Sequence, residues 1–150
     1  MRFIARSRIE APAEAVFRWH AEPGALERLT PPWEELEVVQ AAPGIRNGDR
    51  GILRVRIGPF PVRWSFEHSD YVEGRQFRDV QTSGPFRRWD HTHQFTPDGP
   101  HACWLEDQVE YELPLGWLGN VFGGWLVRHK LQRLFAYRHK VTIEVMASQH

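Results

Sequence analysis

His91 and His93 stand two residues apart in a stretch that reads as a β-strand, flanked by Trp89 and Phe95. Strand parity puts all four on one face. Two imidazoles about 6.5–7 Å apart along a strand, pointing the same way, can move protons, hold the polar head of a ligand or reach one metal ion. The following strand carries Cys103, Leu105, Asp107, Val109, Tyr111 and Leu113 on one face, apolar except for Asp107 and the Tyr111 hydroxyl. An earlier strand carries Val62, Trp64, Phe66, His68, Asp70 and Val72 on one face. Turned toward a common interior, these faces form an aromatic lining with a few polar groups, which is the usual make-up of a small-molecule pocket. The same pattern also describes an ordinary core, with a histidine and Asp107 as a closed hydrogen-bonded pair.

Three chemistries compete for these residues. The first is ligand binding: His68, His91, His93 and Asp107 orient a polar head, while Trp64, Phe66, Trp89, Phe95, Leu105 and Tyr111 hold an apolar body. The second is acid–base catalysis on a carbonyl compound, which must polarise the carbonyl and move a proton. Tyr111, His91, His93 and Asp107 are the right types, but they are also what any pocket uses for orientation, so no catalytic residue is assigned. The third is metal binding by His91 and His93, completed by His68 or Asp107. Nothing in the sequence brings those two within reach, and neither a metal nor a cofactor is assigned. Cys103 opens a strand beside Trp104 and reads as structural. Gly116, Gly119, Gly123 and Gly124 have no following Lys-Ser/Thr, so they form no phosphate loop. Around them, Trp117, Leu118, Phe122, Trp125 and Leu126 form either a gate to the pocket or an anchor for a helix. Phe122 and Trp125 are counted with the lining.

The elements that must position these groups follow from the remaining sequence. The chain has 150 residues, which suits one domain over 1–150. With 41% hydrophobic residues, seven Trp, nine Phe and three Tyr, it has ample surface to bury. Nineteen basic and nineteen acidic residues give no net charge, which excludes a bulk nucleic-acid binder. The charge is uneven, however. Residues 10–37 carry seven acids against two bases, and residues from 117 onward carry five bases against one acid. Besides a small hydrophobic ligand, the expected partners are therefore an anionic membrane, touched transiently, or an acidic protein surface. An interaction module using this basic helix is the non-pocket alternative. One cysteine excludes an intramolecular disulfide. The charged start has no apolar h-region, so no signal peptide is expected, and the cytoplasm is the expected location.

Pro/Gly breaks at 23–24, 31–32, 43–44, 47–48, 58–59, 84–85 and 97–100 punctuate the chain. They predict a strand over 2–10, a helix opened by Pro12 and Glu14, and a short helix over 24–29. Strands are predicted over 35–40, 49–57, 62–72, 76–83, 86–96 and 102–113. Connections this short imply antiparallel pairing. A long helix over about 117–145, interrupted at Gly123-Gly124, is the one element large enough to cover a face of the sheet. The fold class is α+β: a seven-stranded antiparallel curved sheet wrapped around a long C-terminal helix, with two short helices after the first strand.

This order resembles the helix-grip fold of the START-related superfamily (SRPBCC-type proteins), which includes polyketide cyclases, coenzyme Q-binding proteins and lipid-transfer domains. Three stretches carry the resemblance: residues 8–17, from Arg8 to Phe17; Leu29-Thr30-Pro31-Pro32-Trp33; and residues 84–95, containing Trp89-Asp90-His91-Thr92-His93. The last two look like a bacterial ligand-binding branch whose members occur alone or ahead of a nucleotide-sugar-epimerase-like domain. The resemblance implies a cavity between sheet and long helix. It implies binding of a lipid, quinone, polyketide or isoprenoid, with the cyclase reading beside it. It does not imply catalysis, because the fold hosts carriers and enzymes alike.

Overall fold

Alternating apolar and polar residues make Arg2–Ile9 the first strand, β1, with Phe3 and Ile9 inward. Pro12 then sets the entry to helix α1, Ala13–Ala21, whose acidic first-turn residue Glu14 suits the positive helix end. A single turn, α2 (Ala25–Arg28), follows Gly24, which has φ 82° and so uses the left-handed freedom of glycine. The remaining strands are β2 (Leu36–Gln40), β3 (Arg50–Ile57), β4 (Phe60–Val72), β5 (Gln76–Ser83), β6 (Arg88–Pro97) and β7 (Cys103–Glu112), and the chain ends in helix α3 (Trp117–Gln149). The computed structural model describes residues 1–115 and 117–149, without the side chains of 117, 118 and 120–122.

All seven strands form one sheet in the order β1-β7-β6-β5-β4-β3-β2, antiparallel throughout. Consecutive hairpins build β2 to β7, and β1 closes on β7 from the other end of the chain. This is the helix-grip architecture expected from the sequence. Two details differ. The helix continues through Gly123-Gly124 rather than breaking there. On β4, Asp70 and Val72 do not share the inward face of Trp64 and His68. The register shifts between Ser69 and Val72, and Asp70 has φ 49°. Such an irregularity reverses parity beyond it. Tyr71 consequently turns in against Phe17, at 5.8 Å between ring centroids, while Asp70 pairs outside with Arg78 at 3.0 Å.

Among the described residues, the buried apolar side chains form two clusters. One lies beneath α1 and gathers Ile9, Val16, Phe17, Phe95, Leu105 and Met146. The other lies under the middle of α3 and gathers Phe3, Trp89, Val109, Tyr111, Leu131 and Phe135. Along β6, β7, β1 and α3 the change from one cluster to the other falls at polar residues: His91 and His93, Asp107, Ser7, and His139. A polar belt thus crosses the inner face of the sheet and reaches the helix.

Candidate functional site

The hairpin registers place this belt. Across β5 and β6, Asp79 is opposite His91. Across β6 and β7, His93 is opposite Asp107. Across β1 and β7, Ala5 is opposite Asp107, which leaves Ser7 two residues further on the same face. Helix α3 adds His139 from a buried stripe that also carries Leu131, Phe135, Thr142 and Met146.

Asp107 is the hub. It accepts a hydrogen bond from His91 Nε2 at 2.7 Å and one from His139 Nε2 at 2.6 Å, and His93 Nδ1 lies 3.2 Å away. Asp79 is the second anchor. It accepts from His93 Nε2 at 2.9 Å, and its Oδ1 lies 2.7 Å from His68 Nδ1. That last approach is close but off the direction of a hydrogen bond, and neither atom has another partner. His139 also reaches outward: its Nδ1 is 2.7 Å from the Ser7 hydroxyl. In the tautomer that donates Nε2–H to Asp107, Nδ1 is the acceptor for the Ser7 hydroxyl.

The electrostatics follow from this geometry. Burial pushes both carboxyls up, but the facing imidazoles outweigh it and hold Asp79 and Asp107 well below the usual range. His93 loses solvation too, yet it lies between the two carboxylates and is raised to about 9. His91 is lowered to about 4, by burial first and by the neighbouring His93 second. On α1, His20 is likewise lowered to about 4 by burial, while its Nδ1 donates to the Val16 carbonyl at 2.9 Å. The site therefore holds two anions, a cationic His93 and a neutral His91 side by side.

Of the residues expected from sequence, His68, His91, His93 and Asp107 come together in the belt. Trp64 packs edge-on against Trp89 at 5.1 Å, with Phe86 and Tyr111 in the same aromatic group. Phe66 packs against His68 at 5.3 Å. Phe95 and Leu105 belong to the cluster beneath α1. Trp125 does not join the lining, being 71% exposed, because the described part of α3 buries the stripe beginning at Leu131 instead. Phe122 lies outside the described residues. Sequence reasoning missed Asp79, Ser7 and His139. The signal for Asp79 was its parity with the inward-facing Phe77. For His139 it was its spacing from Leu131 and Phe135 on the helix.

Beneath the middle of α3, among the described residues, Leu131 and Phe135 pack with Phe3, Trp89, Val109 and Tyr111. A recess of about 580 Å³ opens between β1 and α3. Its walls include Phe3 and Phe135, it reaches Ser7 and His139, and Arg6, Arg128 and Lys140 lie around it. A second, of about 340 Å³, opens on another side of the helix beside Trp33, Arg56 and Arg133. Trp33 also packs edge-on against Tyr137 at 5.5 Å, which ties the Pro31-Pro32 loop to α3.

An antiparallel sheet gripping one long helix, with a polar belt inside an aromatic interior, defines a START-like α+β protein. Solved structures agree. The chain matches the protein TTHA0849 from Thermus thermophilus with TM-score 0.73 and 25% identity, covering 99% of both chains. It matches 28% of the nucleoside-diphosphate sugar epimerase from Corynebacterium glutamicum with TM-score 0.70 and 26% identity, over 95% of its own length. A START superfamily protein from Mycobacterium smegmatis shares the fold at TM-score 0.68 and 14% identity, covering 99% of both chains. No curated protein sequence matches. The family model described as "Polyketide cyclase / dehydrase and lipid transport" matches residues 9–135, and the chain belongs to that family. Among the described residues, no helix is long and apolar enough to cross a membrane.

Proposed function

We propose that this protein binds a small hydrophobic or amphipathic molecule, such as a lipid, quinone, polyketide or isoprenoid, at the interface of the sheet and α3. The observation that carries this reading is the recess between β1 and α3. It combines apolar walls, a polar end at Ser7 and His139, and cationic side chains. That suits an apolar body with an anionic or carbonyl head. Each methylene buried there contributes about 0.8 kcal/mol before association costs are subtracted.

Native mass spectrometry of the full chain as purified, followed by titration with dodecanoate, tests the reading. A reproducible adduct of lipid-like mass, or saturable dodecanoate binding weakened by Arg128→Glu with Lys140→Glu, supports it. No adduct and no saturable binding into the millimolar range refutes it.

One observation favours the cyclase or dehydratase reading beside it. Asp107 orients His139, and the chain of hydrogen bonds ends at a hydroxyl lining the recess. Such a chain moves a proton to or from a bound carbonyl compound. Turnover of a poly-β-keto substrate that is lost in His139→Gln while binding persists establishes that version. Binding without turnover leaves a carrier.

A further inference from the structure

The two strand histidines are arranged as backed ligands. His91 directs Nε2 to Asp107 at 2.7 Å, and its other ring nitrogen, Nδ1, faces Oδ2 of Asp79 at 3.7 Å. His93 directs Nδ1 toward Asp107 at 3.2 Å, and its Nε2 meets the same Asp79 oxygen at 2.9 Å. One carboxylate therefore stands behind both imidazoles, and the opposite nitrogens converge on a second carboxylate. Metal-bound histidines are held in this way: the nitrogen away from the metal donates to a carboxylate, which fixes the tautomer and ring orientation.

The spacing is that of a coordination shell. The three donor atoms lie within 4.8 Å of one another. Tetrahedral zinc with ligands at about 2.0–2.1 Å places neighbouring donors about 3.3 Å apart. The two contacts at 2.9 and 3.7 Å straddle that value, so small side-chain rotations suffice. The 3.7 Å gap is also too long for a hydrogen bond. The other Asp79 oxygen, Oδ1, faces His68 Nδ1 at 2.7 Å, and both atoms are buried without a directed hydrogen bond. Access exists through Asp79, whose side chain is 25% exposed while those of His91 and His93 are almost fully covered.

We infer that Asp79, His91 and His93 form a site for one divalent first-row transition ion, which takes the place of the proton that His93 Nε2 otherwise gives to Asp79 and releases it to solvent, with Asp107 positioning both histidines. Two imidazoles and a carboxylate suit zinc and its neighbours, whereas calcium and magnesium prefer oxygen alone. The inference stands apart from the lipid-binding reading, because the ion sits in the belt and the proposed ligand lies in the recess.

The test uses the full chain, stripped with chelator and titrated with zinc by calorimetry, with bound metal counted by elemental analysis. One zinc per chain is expected. Asp79→Asn and His91→Gln should each weaken it at least about tenfold, and Asp107→Asn about 10–100-fold, the usual effect of losing a carboxylate behind a ligand. Cobalt(II) titration of the unaltered protein provides a readout independent of how the variants fold. An intense visible spectrum of a low-coordinate nitrogen–oxygen site, abolished by excess zinc, supports the assignment. A hydrated-ion spectrum overturns it, as does zinc affinity unchanged in folded Asp79→Asn and His91→Gln proteins. Dodecanoate binding is scored separately, so the failure of one reading does not resemble the failure of the other.

Discussion

Replacing Asp107 by asparagine keeps the shape of the hub and removes its charge. The carboxylate serves His139 at 2.6 Å, His91 at 2.7 Å and His93 at 3.2 Å. Asparagine retains one oxygen, so one imidazole N–H keeps an acceptor. Its amide NH₂ faces the donor nitrogens of the others, which must change tautomer or lose their partner. A hydrogen bond to a charged group contributes about 1.5–3 kcal/mol, and losing about two of them costs roughly 3–6 kcal/mol. Breaking a buried ion pair by removing one member costs a similar ~3–5 kcal/mol. We therefore expect Asp107→Asn to lose about 3–5 kcal/mol, which at roughly 2–4 °C per kcal/mol lowers Tm by about 6–20 °C. The assay is guanidinium unfolding of the metal-free protein with the m-value checked for constancy, so that a shifted midpoint reports stability. Asp70→Asn is the control. It discharges an outward pair with Arg78 at 3.0 Å and should change stability by no more than about 1 kcal/mol. A loss below about 1 kcal/mol in Asp107→Asn would show that the belt is not held together through this carboxylate.

Stability of the metal-free protein should peak near pH 6.5. His93, raised to about 9, contributes stability that is complete below its unfolded pKa and fades as pH rises through 9, whereas His20 and His91, lowered to about 4, cost stability as pH falls from about 6.5 toward 4. Urea midpoints across that range read it, and a monotonic profile contradicts it. Gly51→Ala should destabilise by about 1–3 kcal/mol, since a Cβ there would lie 2.5 Å from the Phe66 ring on the paired strand; an unchanged melting temperature would mean that the ring moves aside without cost. Cys103 should resist iodoacetamide in the native state and react on unfolding, because burial covers the thiol and raises it to about 11; native alkylation as fast as that of a free thiol would refute this.

The sheet was legible because its signals are local. Glycines with positive φ at Gly58 and Gly74 mark the turns that flank β4, and the alternation around Trp89 to Phe95 and around Cys103 to Leu113 fixes which side faces in. Parity alone brought His91, His93 and Asp107 to one face. It failed on β4, where the irregularity at Asp70 reverses the alternation and no residue type announces it. The rest of the site depended on long-range register. Asp79 is opposite His91 only through the β5–β6 pairing, and His139 meets Asp107 only once α3 has docked. Trp125 looked like lining because its neighbours are apolar, but helix phase is decided by what the sheet offers, and in the described part of α3 the stripe from Leu131 to Met146 fits.

The belt also constrains how the helix can move. Among the described residues, His139 makes both of the hydrogen bonds that join a side chain of α3 to a side chain of the sheet, to Asp107 and to Ser7. Lifting the helix away as a rigid rod would strand a carboxylate in the interior, at a cost no apolar contact imposes. Tilting about His139 leaves that connection intact. The helix is thus hung on a pivot just beyond its midpoint, and native-state hydrogen exchange should find its two arms opening independently, with the slowest amides clustered around the pivot.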